Sequence, residues 1–147
     1  VTQLPKGKLG IAVSTYNSNI TRRLLTGALE TLQNAAIQAE RVVIVEVPGA
    51  WELPLAAQRL ASRSDIMGVI TLGAVIRGET SHDQHINRSV SHALMQLMLQ
   101  TGKPIGFGLL TCNTMEQAIS RAGGNVGNKG KETAEAVLAM LPSDQDT

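Results

Sequence analysis

A chain of 147 residues fits a single domain, residues 1–147, and is long enough to bury one hydrophobic core. A formal charge of +1 gives no general case for binding nucleic acid or an anionic membrane, so any basic cluster has to be argued locally. The lone cysteine, Cys112, cannot form an intrachain disulfide, which favours a reducing compartment. It follows an apolar run with no basic neighbour in sequence, and reads as a packed core thiol before it reads as a nucleophile. No stretch has the apolar length that spans a bilayer, and the polar start at residues 1–8 carries no apolar signal core. A cytoplasmic location is expected, or an organellar stroma if a targeting peptide once preceded Val1.

Four short runs rich in Val and Ile, at 9–14, 42–47, 66–72 and 105–110, have the pattern of strands covered on both faces. Helical patterns lie between them. Residues 20–37 place Ile20, Leu24, Leu25, Ala28 and Leu32 on one stripe, with Asn19 or Ser18 as cap. A shorter helix covers 52–61. The spacing predicts another over 81–99, with Ile86, Val90, Leu94, Leu97 and Met98 on its apolar face. Asn113 with Glu116 reads as a capping-box variant that opens a helix through Arg121. A last helix spans 128–141 and stops at Pro142. Steady alternation of strand and helix implies one α/β domain with a parallel sheet between two helical layers.

Ligands of open parallel sheets bind beyond the carboxyl ends of the strands. Here those ends are followed by Tyr16 and Asn17, by Gly49, Ala50, Trp51 and Glu52, and by the segment from Arg77 to His82. Tyr16, Trp51 and Phe107 are the only aromatic residues. A ring beside a cleft can stack on a flat heterocycle for about 0.5–1.5 kcal/mol beyond area burial. From position alone, Trp51 and Phe107 fit a hydrophobic core equally well. Gly78 permits close backbone approach, and Thr80 or Ser81 can cap the following helix, whose exposed N–H groups suit a phosphate. His82, taken alone, is a surface residue before it is a catalyst. His82, Asp83 and His85 contain metal-ligand types, but no second cluster completes a set, and a metal is not expected. The Gly-rich run from Arg121 to Lys131, with Lys129, suits an oxyanion, against the plainer reading of a solvated loop; it lacks the P-loop pattern.

Together these blocks resemble the 6,7-dimethyl-8-ribityllumazine synthase family, also called the riboflavin synthase beta-subunit family. The similarity runs in register through Tyr16-Asn17, Val47-Pro48-Gly49-Ala50-Trp51-Glu52-Leu53-Pro54 and Gly73-Ala74-Val75-Ile76-Arg77-Gly78-Glu79-Thr80-Ser81-His82. It continues through Phe107-Gly108-Leu109-Leu110-Thr111, Glu116-Gln117-Ala118, Arg121-Ala122-Gly123 and Gly127-Asn128-Lys129-Gly130. The resemblance implies a flavodoxin-like three-layer sandwich with a four-stranded parallel sheet. It implies a homopentamer with active sites shared between neighbours, a 60-subunit icosahedral shell as its larger form, and an association with riboflavin synthase.

By motif position, Tyr16 would stack on the heterocycle and Asn17 would shape its pocket. Ala50, Trp51 and Glu52 would line the ribityl side, and the backbone of Val75 and Ile76 would read the pyrimidine edge. Gly78, Glu79 and Thr80 would cradle a phosphate, and His82 would shuttle protons. Phe107, Arg121 and Lys129 would arrive from the adjacent subunit, Arg121 holding the phosphate. The implied reaction joins 5-amino-6-(D-ribitylamino)uracil to 3,4-dihydroxy-2-butanone 4-phosphate, with no redox or metal cofactor. The chain departs from the family pattern at Thr15, at His82-Asp83-Gln84-His85, at Ser120 and at Asn125. Asp83 and His85 are the candidates to replace the carboxylate usually found near the histidine. A non-catalytic flavin- or lumazine-binding relative and a cage-forming structural relative are the alternatives.

Overall fold

In the computed structural model, which describes residues 7–77 and 82–142, the four apolar runs pair side by side. They form β1 (Lys8–Ser14), β2 (Val42–Val47), β3 (Ile66–Ile76) and β4 (Ile105–Cys112), all parallel, in the order β2-β1-β3-β4. Five helices accompany them: α1 (Ser18–Asn34), α2 (Leu53–Ala61), α3 (His82–Thr101), α4 (Met115–Ser120) and α5 (Lys129–Ala139). Two 3-10 turns, Ala39–Arg41 and Ala50–Glu52, precede β2 and α2.

Side-chain alternation along the strands divides the core between the two faces of the sheet. Leu9, Ile11 and Val13 of β1 pack with Ile70, Leu72 and Leu110 beneath α1 and α5, against Leu24, Leu32 and Val137. Ala12, Val69, Ile105 and Leu109 point the other way, against Leu53 and Leu60 of α2 and Val90 and Leu94 of α3. This is the flavodoxin-like three-layer arrangement. A Cβ on Gly130 would run into the backbone of Leu24, so the bare Cα is what lets the first turn of α5 lie against α1. Asn128 locks that approach, accepting from the N–H groups of Gly130 and Lys131 at 2.8 and 3.1 Å and donating to the Arg23 carbonyl at 3.1 Å.

Several element boundaries differ from the sequence expectation. β3 and β4 run on to Ile76 and Cys112, because Gly73 to Ile76 pair in register with Leu109 to Cys112. An isolated Gly73 looks like a strand end; a partner strand carries the run past it. The N-cap of α1 is Asn17, not Ser18 or Asn19, and α1 ends at Asn34 rather than Ile37, with Ala36 just beyond in the left-handed region (φ 64°). The α4 cap is Thr114, whose hydroxyl accepts from Gln117 N–H at 3.2 Å, while the Gln117 side chain takes the Asn113 N–H at 2.9 Å. The pair is shifted by one residue from Asn113 and Glu116. The Gly-rich run is not a plain loop either: Ala122–Gly124 (β5) and Gly127–Asn128 (β6) form a small antiparallel hairpin. β2 is an edge strand with Ile44 and Glu46 exposed, so within one chain it is not covered on both faces.

Candidate functional site

From β1 the chain crosses to β2 on one side and then returns past β1 to β3 on the other, so the loops after β1 and β3 part and leave a crevice. A cleft of about 360 Å³ lies there. The β1 end contributes Tyr16 and Asn17; the β2 end contributes Gly49, Ala50, Trp51 and Glu52. The β3 end and the start of α3 supply Ala74, Val75, Ile76, His82 and Ile86.

Local chemistry explains this convergence. Asn17 adopts φ 60°, ψ 47°, a left-handed conformation that Asn tolerates better than most residues. Its carbonyl accepts from the N–H groups of Ile20 and Thr21 at 2.9 and 3.0 Å. The side chain does no capping; its Nδ2 donates to the Ala74 carbonyl at 3.0 Å and ties the loop after β1 to the end of β3. The loop after β2 is fastened to the same place by Thr15 N–H to Val47 O at 2.8 Å and Tyr16 N–H to Pro48 O at 2.9 Å. Gly49 lets the Tyr16 ring rest on its backbone, since a Cβ there would sit 2.8 Å from the ring.

Glu52 is held as well. One carboxylate oxygen, Oε1, accepts the Gly49 N–H at 2.9 Å, which leaves Oε2 uncommitted among the described residues. Trp51 is 59% exposed and Tyr16 64% exposed, so neither ring is core; Phe107 is half-buried against the α2–α3 side of the sheet. His82 opens α3 with its side chain on the cleft. Gly78, Glu79 and Thr80, the expected phosphate cradle, lie outside the described residues. Of the two candidates for the displaced carboxylate, His85 is exposed while Asp83 is buried in the first turn of α3, its Oδ1 without a hydrogen-bond partner among the described residues. An acidic side chain in that turn is favoured by the helix dipole. Among the described residues no group of three or more His, Cys, Asp or Glu is gathered as metal ligands, and no helix is long and apolar enough to cross a membrane.

The remaining expected residues are elsewhere. Arg121 and Lys129 line a second cleft of about 380 Å³ with Asn87, Thr111, Val126 and Glu132. The hairpin brings the two cations together: Arg121 follows α4, Lys129 opens α5, and Lys129 N–H donates to the Arg121 carbonyl at 2.8 Å. No described residue lines both clefts, and Phe107 lines neither. Within one chain, therefore, Arg121, Lys129 and Phe107 do not share the His82 cleft. Cys112 is buried at the end of β4, where burial pushes its thiol up and nearby Arg121 only partly offsets this. Sequence reasoning passed over Asn87, Glu132 and Ile86 as site residues. Ile86 was visible only as an apolar-face residue, and Asn87 beside it only as a polar position on a helix.

The family model for 6,7-dimethyl-8-ribityllumazine synthase matches residues 6–144. Proteins described by that same name are similar over nearly the whole chain. The one from Rhodopirellula baltica is 52% identical across 94% of this chain and 89% of its own length. That from Thermus thermophilus is 48% identical across 91% and 85%, and that from Pediococcus pentosaceus 43% identical across 95% and 90%.

Proposed function

Because the chain belongs to the 6,7-dimethyl-8-ribityllumazine synthase family, we propose that it catalyses the condensation that names the family, a step of riboflavin biosynthesis. It joins 5-amino-6-(D-ribitylamino)uracil to 3,4-dihydroxy-2-butanone 4-phosphate and releases phosphate and water. The observation that carries this reading is the gathering of Tyr16, Asn17, Trp51, Glu52, Val75, Ile76 and His82 around one cleft, from three separate strand ends.

The aminouracil ring lies on Tyr16, its edge read by the backbone of Val75 and Ile76 where β3 ends. Its ribityl chain runs along Ala50 and Trp51, with hydroxyls donating to the uncommitted oxygen of Glu52. Asn17 keeps the walls at a fixed separation through its bond to Ala74. Gly78, Glu79 and Thr80 receive the phosphate together with Arg121 of a neighbouring copy, and Phe107 and Lys129 of that copy close the site.

The primary amine of the uracil attacks the substrate carbonyl, and a proton moves from nitrogen to oxygen to give a carbinolamine. Loss of water gives an imine; loss of a proton and expulsion of phosphate follow, and the ribitylamino nitrogen closes the ring with loss of a second water. These steps are proton transfers and bond exchanges with no net electron transfer. One positioned imidazole, His82, is therefore sufficient, and such a group contributes about 10²–10⁴-fold. Juxtaposing two flexible reactants contributes more, up to roughly 7–11 kcal/mol in ideal cases.

The division of the expected residues between two clefts supports a ring in which one copy's Arg121 cleft faces the next copy's His82 cleft. Exposed Ile44, Trp51, Leu55, Leu99 and Val126 give such a ring apolar surface to bury. We assign a homopentamer, with a 60-subunit icosahedral shell of twelve rings as its larger form. A cytoplasmic location and association with riboflavin synthase complete the proposal.

Incubating the protein with both substrates and following lumazine fluorescence and phosphate release tests the activity; no product at any pH refutes it. Mixing His82→Ala and Arg121→Ala chains under conditions that allow reassembly tests the sharing of sites. Random co-assembly restores about a quarter of the sites if they lie between subunits. No recovery in verified mixed rings refutes shared sites.

A further inference from the structure

A polar pair in the second cleft has no part in the roles assigned above. Asn87 of α3 and Thr111 of β4 both line it, and the Thr111 hydroxyl donates to Asn87 Oδ1 at 3.2 Å. We propose that Asn87 is an oxyanion-binding residue, held by Thr111 so that its amide N–H groups meet the phosphate of the four-carbon substrate alongside Arg121. This rests on the reading of the Arg121 cleft as the neighbour's half of the active site.

The assignment follows from donor and acceptor capacity. A carboxamide offers one acceptor oxygen and two donor hydrogens. The oxygen of Asn87 is taken by Thr111, whereas Nδ2 has no acceptor among the described residues. Asn87 is half-buried, and its Nδ2 is not among the buried atoms that lack a partner, so solvent reaches it and an anion can take the place of water there. The cations of the cleft, Arg121 and Lys129, bear only donors on their charged groups and cannot satisfy it. Glu132, the carboxylate on the lining, makes no hydrogen bond to Asn87 among the described residues.

Two cations and a neutral double donor outweigh the single carboxylate, Glu132, on the lining; the cleft is net positive and favours a group made only of acceptors, which is the character of a phosphate. Thr111 sits on β4, paired in register with Val75 of β3, so the carboxamide is anchored to the sheet. A donor fixed in advance loses less conformational freedom on binding than a free side chain does. Asn87 also lies one residue beyond Ile86, which faces the first cleft, so the start of α3 is a wall common to both clefts.

The test uses the assembled enzyme, with inorganic phosphate as a competitive probe. In Asn87→Ala, KM for the four-carbon phosphate and the inhibition constant of inorganic phosphate should both rise roughly 10-fold, while KM for the aminouracil stays within about twofold. Asn87→Asp keeps the shape but presents a negative oxygen, and should raise both by more. Thr111→Val leaves the donors but frees the carboxamide, and should raise both by less. Thermal unfolding and ring size are measured for each variant; if Asn87→Ala assembles poorly, the near-isosteric Asn87→Asp carries the comparison.

Arg121→Ala separates this inference from the reading beneath it. If Arg121→Ala weakens both phosphate parameters while correctly assembled Asn87→Ala and Asn87→Asp leave them unchanged, the Asn87 assignment falls alone. If neither Arg121→Ala nor the Asn87 variants change them, the cleft does not hold phosphate and both fall.

Discussion

Placing a methyl group on Gly49 perturbs the candidate site without touching the core. The backbone there is extended, at φ −136° and ψ −179°, so alanine adopts it without strain. The added Cβ would lie 2.8 and 3.0 Å from two ring carbons of Tyr16 and 3.4 Å from Glu52 Oε1. Comfortable carbon–carbon contacts are about 3.5–4.0 Å, so the ring has to retreat by roughly 0.5–1 Å. Tyr16 is mostly exposed and can do so at little cost to the fold. What is lost is the stacking position, about 0.5–1.5 kcal/mol, or a roughly 2- to 13-fold rise in KM for the aminouracil. Steady-state kinetics with each substrate varied, and fluorescence titration with the lumazine product, measure this. In a Tyr16→Ala background the same Gly49→Ala change should have no further effect, because the contact it disturbs is gone. Unchanged affinity in the single variant, or an undiminished effect without the tyrosine, refutes the stacking role.

His82→Ala should lower turnover by about 10²–10⁴-fold yet leave measurable product, since juxtaposition of the substrates survives; full activity at every pH would remove the shuttle assignment. Gly130→Ala drives a methyl group into the Leu24 backbone. It should cost at least about 1–3 kcal/mol, seen as a melting temperature lowered by several degrees, and an unchanged melting curve would contradict the α1–α5 contact. Cys112 should react slowly with a thiol reagent near neutral pH in the folded protein and readily after denaturation, because burial pushes its thiol up and hides it. Rapid titration of the native thiol would place it outside the core.

The four strands were legible because Val- and Ile-rich runs of strand length, separated by helical stripes, admit few other arrangements. Their ends were less so: Gly73 is followed by Ala74, Val75 and Ile76, and only pairing with β4 shows that the strand continues. The α1 cap was misplaced for a related reason. Asn17 caps through its carbonyl, while its side chain serves a residue 57 positions away, which local patterns do not reveal. The Gly-rich run likewise became a hairpin only because Ala122 and Asn128 meet.

Residue chemistry was available from the chain alone: which side chains can stack, donate, accept or move protons, and at which strand ends they stand. Sequence therefore determined the α/β alternation, the identity of the candidate residues and the membership they imply. Tertiary structure decided how they are grouped. It set Tyr16, Glu52 and His82 around one crevice and Arg121 and Lys129 around another, with Asn87 in the second. The reason is geometric: strand order and the ties from Asn17 to Ala74 and from Thr111 to Asn87 join positions far apart in the chain, and linear spacing contains no record of such distances.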